Sequence, residues 1–202
     1  MPRAAHDAAR DGAQRRRPPG WAARDRLARM TRHDLKQLVI MRHGEADYPR
    51  DVPDHDRPLV PRGAREAAAA GAWLAENAPP EMILVSPALR TRQTVTWVCH
   101  ELGERAPTPQ LWDSLYNGSD AQLLAAVNHV PESVRTLLVV AHMPGVLDAV
   151  LRLASRDSDQ DAMMDAAAGF PTAGTAVLEV AGDWALLDGA DARLTRFHAP
   201  RV

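Results

Sequence analysis

From Leu38 onward, short apolar runs alternate with longer stretches of helical character. Leu38-Val39-Ile40-Met41, Met82-Ile83-Leu84-Val85 and Thr136-Leu137-Leu138-Val139-Val140-Ala141 predict three buried strands. Between the first two, Pro61 to about Asn77 predicts a helix, because Pro suits a first helical position and the Ala-rich interior has high helix propensity. Pro79-Pro80 ends it. Further helices are predicted over Ala88–Leu102, with Gly103 as its stop, over Ser119–Val130, with Ser119 as its cap, and over Gly145–Leu153. The acidic stretch Ser155–Ala168 is weakly patterned and reads as a solvated loop or a weak helix. Thr175–Val180 and Trp184–Leu187, separated by Ala181-Gly182-Asp183, predict a C-terminal hairpin, joined by Arg193–Phe197. This alternation predicts an α/β fold, a three-layer sandwich with a mostly parallel central sheet and helices on both faces.

A length of 202 residues fits one globular domain, and 46% hydrophobic with 25% charged residues excludes a collagen, a long coiled coil or a wholly disordered chain. The formal charge of −2 hides an asymmetry. Residues 1–29 hold eight Arg against three Asp, leaving 16 bases against 23 acids in the remainder. A body of that sign repels a nucleic-acid backbone, so no nucleic-acid partner is expected for it. Residues 1–34 show no sustained period and read as a flexible Arg-rich tail ahead of a domain over 35–202. Three meanings stay open for the tail: a contact with an anionic surface, a solvated extension, or a stretch upstream of a true start at Met30. The lone Cys99 cannot form an internal disulfide, no apolar run is long enough to span a membrane, and the N-terminus lacks the apolar segment of a secretory signal. A cytoplasmic protein without a membrane partner is expected.

Candidate chemistry gathers just past the ends of the three strands: Arg42-His43-Gly44-Glu45 after the first, Ser86 to Arg90 after the second, His142 after the third. In open parallel sheets that edge binds ligands. Two guanidiniums, two imidazoles and nearby helix N-termini suit a phosphoryl group, since guanidinium forks match phosphate oxygens and helix starts offer backbone donors. A neutral imidazole can attack phosphorus without first losing a proton, so neither metal nor cofactor is required. Taken singly, each piece also reads as ordinary surface or satisfied core.

The string LVIMRHGEAD resembles the RHG signature of the histidine phosphatase superfamily, which includes cofactor-dependent phosphoglycerate mutases and many phosphatases. RPLVPRG, VSPALRTRQT and LLVVAHMPGV follow in the family's order, so the resemblance spans about residues 38–150. It implies that His43 is the phosphorylated nucleophile, that Arg42 and Arg90 grip the phosphoryl oxygens, and that His142 bonds one of those oxygens as charge builds. It places Gly44 at a tight bend against the phosphate, and Glu45 and Arg57 in supporting or substrate-mouth positions. In LWDSLYNG it puts forward Asp113 as proton donor to the leaving group, with a structural hydrogen-bonding role as the alternative.

From Leu38 onward little room remains for the insertions that cap larger relatives, and the spacing of the blocks is most similar to the small SixA-type branch. That branch implies a protein phosphohistidine phosphatase acting on a phosphorylated protein, with a small phosphorylated metabolite as the other substrate class. A phosphoglycerate mutase or small-molecule phosphomonoesterase is the enzymatic alternative. A catalytically silent phosphate-recognition module is the non-enzymatic one.

Overall fold

The structure, a computed structural model, describes residues 35–202. The expectations for the Arg-rich tail and for a start at Met30 lie outside the described residues.

Among the described residues, six strands form one sheet in the order β3-β2-β4-β1-β5-β6. They are β1 (Lys36–Arg42), β2 (Met82–Val85), β3 (Gln110–Leu111), β4 (Thr136–Ala141), β5 (Thr175–Val180) and β6 (Ala192–His198). The first four run parallel to one another, while β5 pairs antiparallel with both β1 and β6. Among the described residues, five α-helices pack on the sheet: α1 (Pro61–Asn77), α2 (Leu89–Leu102), α3 (Asp120–Asn128), α4 (Gly145–Leu153) and α5 (Gln160–Ala168).

Successive strand residues point to opposite faces, and the core divides accordingly. Leu38 and Ile40 of β1, with Leu137 and Val139 of β4, join α3, α4 and α5 in one cluster. Val39 and Met41, with Leu138 and Val140, join α1 and α2 in the other. Both faces of the central strands are therefore sealed, which is why they read as unbroken apolar runs. Cys99 packs at the margin of the second cluster, and burial pushes its thiol pKa up.

The helix stops and starts follow the chain's punctuation. Pro61 opens α1, Gly103 closes α2 with a φ of 61°, and Ser119 caps α3 in a reciprocal capping box with Gln122. The weakly patterned Ser155–Ala168 stretch contains α5, whose cap is Asp159, its side chain accepting from the Ala162 N–H.

One expectation is corrected. Trp184–Leu187 is not a strand: Trp184–Leu186 is a single 3-10 turn, and the hairpin partner of β5 is β6. The run is apolar because it anchors a loop. The Trp184 indole is fully buried and donates to the Val134 carbonyl, while Asn128 of α3 donates to the carbonyls of Trp184 and Leu187. Burial of Trp184 and Leu187 with Leu186 exposed follows a three-residue spacing, not a strand's period of two.

Candidate active site

Register alone brings the chemistry together. Arg42 pairs with Ala141 across β1 and β4, and Val85 pairs with Val140 across β2 and β4, so His43, Ser86 and His142 leave the same sheet edge side by side. The rings of His43 and His142 lie 5.1 Å apart, centroid to centroid.

The loop carrying His43 is held by backbone donors that each find a partner. The His43 N–H donates to Ala141 O, the Gly44 N–H to Thr94 Oγ1 at 3.0 Å, and the Glu45 N–H to Glu66 Oε2 at 2.9 Å. Thr94 and Glu66 are buried on α2 and α1. Gly44 and Gly63 meet backbone to backbone. A Cβ on Gly44 would stand 2.5 Å from Gly63 O, and one on Gly63 would stand 2.1 Å from Glu45 O. The sequence blocks acquire physical meaning here: the closing Thr of VSPALRTRQT and the closing Gly of RPLVPRG clamp the bend after β1, and Gln93 accepts from the Leu59 N–H at 2.7 Å.

Hydrogen bonding fixes which nitrogen of His43 is available. Its Nδ1 lies 2.7 Å from the Gly44 carbonyl, which can only accept, so Nδ1 carries the proton and the Nε2 lone pair is free. Burial, followed by the charges of Arg90, Arg42 and Arg57, pushes its pKa down to about 4, against the partial opposition of that carbonyl. His142 is pushed down to about 3, chiefly by burial and then by His43 and Arg90. Its Nε2 lies 2.7 Å from Ser86 Oγ, and its buried Nδ1 has no protein partner. When the Ser86 hydroxyl donates to Nε2, the proton of the neutral ring sits on Nδ1, which can then donate. At neutral pH the pair thus offers one nucleophilic lone pair and one hydrogen-bond donor.

These depressed values have a consequence for stability. An unfolded imidazole titrates near 6.5, so as pH falls from about 6.5 toward 4 the unfolded chain takes up protons that folded His43 and His142 refuse. Stability is full above that window and falls through it. Thermal midpoints between pH 7.5 and 4.5 should decline on acidification, and the His43→Asn, His142→Asn double variant should show a shallower decline.

Around the histidines stand three guanidiniums. Arg42 donates through Nη1 to Phe170 O at 2.8 Å, and its buried Nε has no protein partner. Arg90, on the first turn of α2 and 3% exposed, reaches Asp54. Arg57 donates to Asp47 O and Asp54 and lies over the Tyr48 ring. The Glu45 carboxylate turns the other way, 3.6 Å from Arg62 of α1. Asp113 heads a 3-10 turn, Asp113–Leu115, and is exposed; the residue after that turn, Tyr116, reaches Asp54 and sets its ring 5.7 Å from that of His142. Asp54, Tyr116 and Glu66 were not singled out from sequence. Tyr116 lies within the LWDSLYNG block, whereas no period or motif marks Asp54 in its loop or Glu66 in an Ala-rich helix. No group of three His, Cys, Asp or Glu among the described residues is arranged to hold a metal ion.

A cleft of about 990 Å³ adjoins the site, running from Arg42 and Met143 past Phe170 and Phe197. No described helix is long and apolar enough to cross a membrane.

Residues 38–119 match the family model described as the histidine phosphatase superfamily, branch 1. A protein of Mycobacterium tuberculosis, itself uncharacterized, is 41% identical over 163 residues, covering 80% of this chain and 100% of that relative. A structure from Nakamurella multipartitia, provisionally named phosphohistidine phosphatase SixA, is 36% identical with a TM-score of 0.73, covering 83% of this chain and 98% of that one. The chain belongs to the histidine phosphatase superfamily, branch 1. Another solved structure, of the protein histidine phosphatase SixA complexed with tungstate, is 27% identical with a TM-score of 0.62, covering 81% of this chain and 96% of that one. The residues matched by the family model include those that here shape the bend after β1 and clamp it from α1 and α2.

Proposed function

We propose that this protein is a metal-independent phosphatase acting through a covalent phosphohistidine, and that its substrate is a phosphohistidine-bearing protein. The observation that carries the mechanism is the fixed tautomer of His43, an uncharged imidazole with Nε2 available among three guanidiniums. In this scheme Arg42 and Arg90 bind the phosphoryl oxygens while His43 Nε2 attacks phosphorus. The N–P bond forms as the bond to the leaving group breaks, and His142 Nδ1–H stabilises the charge on the phosphoryl oxygens. Water then attacks the phosphohistidine, the N–P bond breaks, and inorganic phosphate leaves with His43 restored.

Leaving-group chemistry favours the phosphohistidine substrate. Asp113, the proton donor in this scheme, stands exposed where water also has access. An alkoxide leaving group depends heavily on a well-placed acid, whereas an imidazole carrying a proton on its other nitrogen departs as a neutral molecule. The likeness to SixA structures and the open cleft beside Arg42 support the same reading, because a protein side chain must bring its surroundings with it. The test is a panel ranked by kcat/KM: a histidine-phosphorylated phosphotransfer domain, 3-phosphoglycerate with trace 2,3-bisphosphoglycerate, and nucleotides. The phosphoprotein should lead, with no 2-phosphoglycerate formed. A ranking led by a sugar phosphate or nucleotide overturns the substrate assignment, and isomerised phosphoglycerate would make the protein a mutase.

A further inference from the structure

The loop between β1 and α1 carries a carboxylate that no part of this mechanism uses. Asp54 opens the 3-10 turn Asp54–Asp56, and three donors from three separate parts of the chain converge on its side chain. Oδ1 accepts from Arg57 Nη1 at 2.8 Å; Oδ2 accepts from Arg90 Nη2 at 3.1 Å and from the Tyr116 hydroxyl at 2.8 Å. Its main-chain carbonyl accepts from Arg90 Nη1 at 2.6 Å. Arg90 is thereby gripped at both terminal nitrogens by one residue. A guanidinium has five N–H groups, and Asp54 engages two of those of Arg90, one on each terminal nitrogen.

We propose that Asp54 is a positioning residue for phosphoryl binding: it fixes the plane of the Arg90 guanidinium, and the Tyr116 hydroxyl fixes the carboxylate that does so. The proposal rests on the phosphoryl site described above. Its physical basis is preorganisation. A fork held by charge-assisted bonds at two nitrogens loses little freedom when the remaining donors meet an anion. Tyr116 is itself placed by its turn and by the edge-on packing of its ring against His142 and His55, whose centroids lie 5.7 and 5.1 Å away.

A competing role predicts the opposite sign, which makes the idea sharp. Arg42, Arg57 and Arg90 bring three positive charges against the one negative charge of Asp54, so removing that charge should by Coulomb attraction alone tighten anion binding. If Asp54 were a plug occupying the phosphoryl position, its removal would tighten binding too. Positioning alone predicts weaker binding.

Tungstate is the probe, titrated calorimetrically against the wild type, Asp54→Asn and Tyr116→Phe. Asp54→Asn should weaken tungstate about tenfold and raise KM for an aryl phosphate by a similar factor, with kcat at saturation changed less. Tyr116→Phe, which leaves both Asp54 contacts to arginine in place, should move in the same direction by about threefold. Thermal midpoints of the variants establish that they are folded. Unchanged or tighter tungstate binding in Asp54→Asn overturns the proposal while leaving the phosphoryl site intact. A wild type that neither binds tungstate nor forms an acid-labile adduct overturns the site, and the role of Asp54 with it.

Discussion

Replacing His43 by alanine should lower turnover of an aryl phosphate by about four orders of magnitude or more in a protein that remains folded. The expected loss is large because no neighbour can stand in for it. His142 has its Nε2 engaged by Ser86, and burial holds its pKa down as well. The arginines survive the substitution, so oxyanion binding should persist while chemistry fails. That separation identifies a nucleophile and distinguishes it from a binding residue. Steady-state kinetics, together with phosphodonor labelling quenched in alkaline denaturant and then tested for acid lability, measure both halves. Undiminished turnover in His43→Ala rejects the covalent route. If the wild type binds phosphate and never acquires an acid-labile label, the protein is a phosphate-recognition module.

The second large effect is on stability and lies one layer behind the chemistry. A methyl group at Gly63 would sit 2.1 Å from Glu45 O, 2.7 Å from Glu45 N and 2.9 Å from Glu45 C, all backbone atoms of the loop that carries His43. No side-chain rotation relieves such a contact, so α1 and the loop must part. Gly63→Ala should cost about 3 kcal/mol, the upper end of overpacking penalties. For a domain of this size that corresponds to a thermal midpoint lowered by roughly 6–12 °C. Activity should fall with it, because the Glu45 N–H would be drawn off Glu66. Gly182→Ala, whose added Cβ would meet nothing within 4 Å, is the control and should leave both midpoint and turnover near those of the wild type. A Gly63→Ala protein as stable as the control would show that the close approach is not needed.

The framework was readable because its signals are redundant. β2, β4, β5, α1 and α4 lie where the apolar runs and the Pro and Gly punctuation put them, since strands sealed on both faces leave unbroken Val, Ile and Leu. Reading failed where one residue decides the conformation. Trp184 gives its neighbours the look of a strand although a single buried indole and two carbonyls that accept from Asn128 define the segment. β3 is two exposed residues long, too short for any period to register. At the site, the residues that share strand ends and family blocks were legible. Asp54, Glu66 and Tyr116 were not, since each acts through a partner distant in the chain: Asp54 with Arg90 across 36 positions, Tyr116 with Asp54 across 62.

The division of β1 between two separate cores has a further consequence. A one-step slip of this strand would exchange every side chain between the layers and carry the His43 imidazole away from its companion just past the end of β4. Assembly of the domain is therefore also the alignment of its chemistry, and a misregistered fold would be inert as well as unstable. Selection for a sealed interior would then preserve the pocket's geometry without any separate pressure on the spacing of its reactive groups.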